Sequence, residues 1–477
     1  MSSKTTLLVL PLLLQTSLAF PWVASAPGVD SALLHSSRHR RQADLNCAFN
    51  PNHDNAAPLS SQFPYNNARF PFPGNGRGGY LVPAPGDTAH EFRAPRAGID
   101  IRGPCPGLNA AANHGFLARD GIVTYGELVD AQQNMYNVGF DLANVLAIAG
   151  VGLDGDLLSG KVSLGCDATS RTKSPLSLLA SQPGLNGHNK FEADASLTRG
   201  DFFTTNNFRL NTTLFTMMME TCQGNCGRQE LSVYREERWQ QSVAENGNFF
   251  FGPGSLLLYG AASFLYELFP GEGGSPDEAT MMSFFSIDKA ADGSYVENSG
   301  ERAPPNWRPR VAPYSGSDVV REIVAMYIAN PVLFGGNVGQ NNFIGLNSGA
   351  AIRDGRLVDT APSAILCLLF QALQSAIPAT VGQAVNLPVN ILNQITQLAP
   401  FATNIGCPSN PNDGGSGADI PILPDLGLPP LVIPSLPPLP LPLPDLPITL
   451  PPLPPLLGPS RPGQGGGLLG GLFPRAN

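Results

Sequence analysis

The chain has 477 residues, a net charge of −9, only 14% charged residues, and 52 glycines with 47 prolines. That length is ample for one large core or two small ones. It carries no basic patch with interleaved aromatics, so nucleic acid is not expected as a partner.

At the N-terminus Lys4 precedes an apolar run over 5–20 that Pro11 and Gln15 interrupt. The run is too short and broken to span a membrane and reads as a signal peptide. Residues 1–19 form that peptide, with cleavage after Ala19; cleavage after Ala26 is the second choice, because Pro27 follows it. Arg38-His39-Arg40-Arg41 closes a short polar segment and reads as a processing site. Residues 20–41 are then a pro-segment, and the mature chain begins at Gln42; an exposed basic linker is the competing reading. No later stretch reaches the ~18–20 apolar residues of a transmembrane helix. The chain is expected to be secreted, to the medium or the cell wall.

Residues 42–91 are rich in proline (Pro51, Pro64, Pro71, Pro73, Pro83, Pro85) and are expected to wrap the core without regular structure. Next comes Arg102-Gly103-Pro104-Cys105-Pro106-Gly107-Leu108-Asn109-Ala110. Pro106 lacks an N–H and suits a first helical turn, where that donor would be unpaired anyway. A helix therefore starts at Pro106, and Cys105 sits at its threshold. The N–H groups of Leu108, Asn109 and Ala110 can point back at the sulfur. The helix dipole adds roughly 0.3–1 kcal/mol in favour of a thiolate. That does not ionise a thiol with a pKa near ~8.5, but a bound iron would. In a secreted chain a disulfide partner for Cys105 is the commoner outcome, so both readings stand on these residues.

Further helices are expected over 125–149, from apolar residues at helical spacing, over 208–221 (methionine-rich), 229–244 (polar) and 256–268 (apolar), and over 318–330 and 361–376. A turn is expected over 154–163 and a short element over 174–179. Ser196-Leu197-Thr198-Arg199 reads as a helix start, through side-chain oxygens able to cap free N–H groups. Met217, Met218 and Met219 read as core packing. Asn211-Thr212-Thr213 is a glycosylation sequon at Asn211. Strand-like alternation is scarce, so the fold is expected to be mostly α, a single domain over 42–407. From 408 to 477 the chain turns into proline–leucine repeats and a glycine-rich end. Prolines that dense cannot form helix or ladder, so a disordered, extended tail is expected, either a stalk or a tether to the wall.

The mature chain holds seven cysteines, and the odd count requires one unpaired thiol or an intermolecular bond. Cys222 and Cys226 frame a tight Gln-Gly-Asn loop that a disulfide can staple.

A second stretch, Phe191-Glu192-Ala193-Asp194-Ala195-Ser196-Leu197-Thr198-Arg199-Gly200-Asp201, joins Pro104-Cys105-Pro106 in one pattern. Together they resemble the fungal haem-thiolate peroxidases, the family of chloroperoxidase and the unspecific peroxygenases, over about 92–407. The resemblance implies a single multi-helix haem-thiolate peroxidase-like domain. It implies that Cys105 is the axial thiolate of haem b. It implies that Glu192 (carboxylate), Ala193 (carbonyl) and Ser196 (hydroxyl) hold Mg2+ or Mn2+, a set of hard oxygen donors suited to such an ion. Phe191 becomes a wall of the haem pocket. Cys367 and Cys407 pair to tie down the last globular segment, which leaves Cys47 with Cys166 as a weaker pair and Cys105 for iron.

Peroxide cleavage needs an acid–base group, typically worth ~10²–10⁴ in rate. The peroxygenases carry a Glu where this chain reads Ala261, and an Arg where it reads Gly254. Glu267 is the nearest downstream carboxylate and the candidate substitute, though six helical residues place it ~9 Å further along the axis. Glu236, Glu237, Glu245 and His188 are further candidates. The resemblance thus implies a peroxidase or peroxygenase that uses hydrogen peroxide to oxidise a small organic substrate. The competing reading is a haem-binding wall or surface protein with little or no peroxide turnover.

Overall fold

The computed structural model describes residues 47–368 apart from 49, 51, 157–158, 167–183, 189–191, 270–273, 348–351, 360, 362–363 and 366–367. The signal peptide, the pro-segment, the element over 174–179, Phe191, Cys367, Cys407, the tail and nearly all of the helix expected over 361–376 lie outside the described residues. Those described form eight α-helices: α1 (Pro106–Asn113), α2 (Tyr125–Tyr136), α3 (Phe140–Asp154), α4 (Thr212–Cys222), α5 (Arg228–Glu245), α6 (Leu257–Leu268), α7 (Glu278–Phe285) and α8 (Gly316–Ala329).

The strands are two or three residues long and serve as clasps between helices. β1 (Ile122–Thr124) pairs antiparallel with β2 (Lys161–Ser163), Ile122 opposite Ser163. β3 (Phe250–Phe251), β6 (Gly335–Asn337) and β7 (Phe343–Gly345) make a three-stranded sheet in the order β3-β6-β7. β4 (Ile287–Lys289) with β5 (Tyr295–Glu297), and β8 (Ile352–Arg353) with β9 (Arg356–Leu357), are isolated hairpins. The core lies where α5, α6 and α8 pack on one another and where α2 packs on α3. All described residues belong to one compact unit.

Where helix boundaries depart from expectation, local chemistry explains why. The helix expected over 125–149 is two helices. α2 opens on a capping box, with Thr124 Oγ1 accepting from the Glu127 N–H and the Glu127 carboxylate accepting from the Thr124 N–H. It closes at Asn137, which is left-handed (φ 53°, ψ 39°). Asn137 Nδ2 donates to the carbonyls of Arg310 (2.9 Å) and Val311 (3.1 Å), and its Oδ1 accepts from Asn66 (2.8 Å). Those three distant partners hold a conformation that would otherwise be costly.

The helix start expected at Ser196-Leu197-Thr198-Arg199 is absent. Carbonyls that a helix would use are taken by side chains and by a remote N–H: Arg235 on Ala195, Arg238 on Ser196, Tyr234 on Leu197, and the Asn211 N–H on Thr198. The next helix starts only at Thr212, where Asn211 Oδ1 accepts from the N–H groups of Thr213 (3.0 Å) and Leu214 (3.3 Å). The turn expected over 154–163 instead carries β2 at its end. α7 was not expected, although Asp277 caps it by accepting from the Thr280 N–H.

Cys47 and Cys166 are joined across 119 residues of sequence, and Cys222 is joined to Cys226. The long bridge ties the segment before α1 to the end of the β1–β2 clasp. Replacing both cysteines (Cys47→Ser with Cys166→Ser) should lower the unfolding free energy by about 2–5 kcal/mol. Denaturant melts check this; an unchanged midpoint would contradict it.

Candidate functional site

Cys105 is the N-cap of α1, in extended backbone (φ −84°, ψ 106°), with Pro106 as the first helical residue. The second and third helical positions supply the usual capping donors. Here these are Gly107 and Leu108, whose N–H groups favour the thiolate without closing a capping hydrogen bond on the sulfur. Of the three donors expected from sequence, Leu108 alone acts on the thiol. The Asn109 N–H instead closes the first helical bond, on the Cys105 carbonyl at 3.1 Å. Ala110 lies one position further into the helix.

Cys105 is the free cysteine among the described residues and remains partly accessible. Burial of the sulfur pushes its thiol pKa up. The two N–H groups and the Arg199 charge oppose that shift, and Glu301 adds to it. Behind the sulfur, Tyr136 Oη donates to the Gly107 carbonyl at 2.7 Å. Burial, and then the nearby Cys105, keep the Tyr136 phenol protonated well beyond its ordinary range.

The residues before Cys105 are clamped. Asn109 returns to Gly103 twice: Oδ1 accepts from its N–H (3.0 Å) and Nδ2 donates to its carbonyl (2.9 Å). Gly103 must be glycine, since a Cβ there would lie 1.8 Å from the Leu164 carbonyl oxygen. Arg199 Nε donates to the Pro104 carbonyl (3.1 Å), and Arg199 Nη2 donates to Glu301 Oε1 (2.7 Å). The same Glu301 oxygen accepts from Asn109 Nδ2 (3.1 Å). Arg199, in the second motif, thereby holds the first.

The second motif is an irregular turn held by α5. Ala195 is left-handed (φ 59°), and Arg235 donates to its carbonyl. Arg238 Nε donates to the Ser196 carbonyl (2.9 Å). Tyr234 Oη lies 2.7 Å from both the Leu197 and the Leu214 carbonyls. Asp201 collects the Ala195 N–H, Ser242 Oγ and Asn246 Nδ2, each at 3.0 Å, and Arg238 at 3.3 Å.

Glu192 Oε2 pairs with His188 Nδ1 at 3.0 Å, and Asp194 Oδ2 lies 3.9 Å from His188 Nε2. Burial opposes the His188 charge, but Asp194 and Glu192 outweigh it and hold its pKa above the ordinary value. Burial drives the Asp194 carboxyl well above its usual range, while His188 opposes that shift. Glu192 Oε1 is buried without a hydrogen-bond partner among the described residues. Among the same residues no group of three or more His, Cys, Asp or Glu side chains is arranged to cage a metal. A cation here would rest on one carboxylate, with carbonyl and hydroxyl oxygens completing the set, and the open Glu192 oxygen fits that role.

On α6, Ala261 is exposed, with Leu257, Leu258 and Phe264 partly exposed beside it. Gly254 has open space where a Cβ would be. Glu267 pairs with Arg310 at 2.6 Å, and burial raises its pKa. Of the other carboxylates considered, Glu236 accepts from Asn330 (3.2 Å), Glu237 from Thr221 (2.6 Å) and Glu245 from Gln241 (3.3 Å). A cavity of about 370 Å3 lies elsewhere, lined by Thr216, Met219 and Glu220 of α4 and by Lys289 and Tyr295 of the β4–β5 hairpin. It touches none of these site residues. Sequence reasoning had no signal for Tyr136 or Glu301, which come to the site from other elements.

Residues 90–312 match the model of peroxidase, family 2. The dothistromin biosynthesis peroxidase of Dothistroma septosporum is 30% identical over 345 residues, covering 67% of this chain and 82% of that protein. The aromatic peroxidase of Fusarium equiseti is 28% identical over 351 residues (67% and 78%). The aromatic peroxygenase of Cyclocybe aegerita is 36% identical over 264 residues (54% and 66%).

The far end of the cysteine helix makes a pH prediction. His114 caps α1; Nδ1 lies 2.9 Å from the His90 carbonyl, and Nε2 accepts from the Ala303 N–H at 3.1 Å. That arrangement needs a neutral ring with its proton on Nδ1. Burial lowers the His114 pKa from 6.5 to about 4. Between those values the unfolded chain binds a proton that the folded chain refuses, so stability falls as pH drops from 6.5 to 4. The contribution is about 3 kcal/mol. Asp130, which burial raises from 3.8 to about 6, acts in the opposite sense. The comparison with His114→Gln cancels it: the variant should lose less stability than the native chain over this window, as denaturant melts at several pH values would show. Parallel profiles would contradict the assignment.

Proposed function

We propose, for a chain that belongs to peroxidase family 2 and is a peroxidase-type oxidoreductase, a secreted haem-thiolate enzyme that uses hydrogen peroxide to oxidise a small organic substrate. The observation that carries this reading is the unpaired thiol of Cys105, a partly accessible residue, with the N–H groups of Gly107 and Leu108 favouring its thiolate. These residues fit haem b: an axial thiolate needs an unpaired cysteine and donors that moderate its charge. Haem, when bound, supplies peroxide cleavage and oxidising power. The chain supplies the rest. Cys105 gives the sulfur, Gly107 and Leu108 hold its charge, and Tyr136 fixes the Gly107 peptide from behind.

Glu192, Ala193 and Ser196 are the oxygen set for Mg2+ or Mn2+, and Phe191 is a wall of the haem pocket. The relatives named aromatic peroxidase and aromatic peroxygenase make aromatic compounds the first substrates to try. Secretion is supported by the signal-like run over 1–19 and by two disulfides, which persist in oxidising compartments. No helix among the described residues is long and apolar enough to cross a membrane. The domain is assigned to 42–407, fastened by Cys367–Cys407, and the tail over 408–477 is a candidate wall tether. Asn211 is compatible with glycosylation, because its cap uses Oδ1 and a glycan would take Nδ2.

The acid–base group is the open part. Glu267 is the candidate, but Arg310 already claims it. Ala261 is exposed, so a carboxylate fits there without displacing the core. Peroxide-dependent oxidation of a phenolic probe by the haem-loaded chain tests the assignment. The native chain should turn over, Cys105→Ala should not, and Ala261→Glu should gain about 10²-fold or more. Absence of turnover in both the native chain and Ala261→Glu, with haem bound, would favour the wall-protein reading instead. That reading draws less support from relatives named as peroxidases and peroxygenases.

A further inference from the structure

We propose that the buried Arg199–Glu301 ion pair is a positioning device that sets the charge felt by the Cys105 sulfur. This rests on the proposed haem ligation. The pair is well inside the protein: the Arg199 side chain is 2% exposed and that of Glu301 is 12%. Its contacts converge on the cysteine loop. Arg199 holds the Pro104 carbonyl, the peptide immediately before Cys105. Glu301 Oε1 receives both Arg199 Nη2 and Asn109 Nδ2, and Asn109 fastens Gly103 by two bonds. The Glu301 backbone is fixed in turn, because its carbonyl accepts from Asn113 Nδ2 at 2.9 Å, one turn further along α1.

Stability alone gives little reason to keep such a pair. Taking two charges out of water is costly, and apolar replacements of a buried pair are often neutral or stabilising. The Pro104 carbonyl needs only one neutral donor. A full positive charge on the peptide next to Cys105 does something a neutral donor cannot: it favours the thiolate and draws electron density from it. Glu301 acts on the same sulfur with the opposite sign. The pair is neutral as a whole, so its effect depends on both charges being present. Second-sphere groups of this kind tune a metal through its ligand.

The test is the one-electron ferric–ferrous midpoint potential of the haem-bound chain and four variants. Arg199→Gln removes positive charge, strengthens sulfur donation and favours ferric iron, so the potential should fall. Glu301→Gln removes negative charge and the potential should rise. Its amide oxygen still accepts from Arg199 and Asn109, so this variant keeps the loop folded. The double variant should return close to the native value. Arg199→Lys keeps the charge but loses the fork, and should keep the native potential while losing stability. A pair with a purely structural role would not reverse sign between the two single variants. Shifts in the same direction, or no shift in Glu301→Gln, would overturn this inference alone. A native chain that binds no haem would overturn the proposed function and this inference with it.

Discussion

One sulfur atom at the start of one short helix organises this molecule. Pro106 removes the donor that would otherwise compete at the first helical position, and the next two N–H groups favour the Cys105 thiolate. The arrangement demands an immobile turn, because N–H groups aimed at sulfur lose strength quickly with angle. Most of the surrounding polar chemistry supplies that immobility. Gly103 is held by Asn109, Pro104 by Arg199 and Gly107 by Tyr136, so both sides of the cysteine are pinned. The far end of the same helix is locked by a neutral His114 between two backbone partners.

The second motif is held by a different device. Tyr234, Arg235 and Arg238, consecutive or one turn apart on α5, reach the carbonyls of Leu197, Ala195 and Ser196. Asp201 collects four donors beneath them. Arg235 keeps buried Nε and Nη2 atoms without partners among the described residues and lies 5.5 Å from the centre of the Tyr259 ring. Burial lowers its pKa to about 10, which still leaves it charged near neutral pH. A buried cation with open donors is costly. It is tolerated here at the turn that presents Glu192 and Ser196. The two motifs are rigid for separate reasons, and Arg199 joins them.

What the sequence made legible was local. Proline at the first helical position, the Cys222–Cys226 staple and the bounds of α5, α6 and α8 all depend on neighbours within a few residues, and the structure places them within two residues of expectation. The misses depend on partners far away. Asn137 breaks a long periodic run because Asn66, Arg310 and Val311 hold it left-handed. The turn at Ser196 fails to become a helix because α5, some forty residues later, takes its carbonyls. Glu301 is an ordinary loop carboxylate by sequence; only the folded chain brings it to Asn109 and Arg199. Even the N–H groups that act on the thiol lie one position earlier than expected: the second and third helical residues, Gly107 and Leu108, nearest an N-cap side chain.

The central claim is that Cys105 is an axial iron ligand. The absorption spectrum of the ferrous carbon monoxide complex tests it most directly, in the native chain and in Cys105→His. A thiolate-type, red-shifted band in the native chain that gives way to an imidazole-type band in the variant is the predicted result. The same band in both proteins, or no haem band in a folded and haem-supplied native chain, would contradict it.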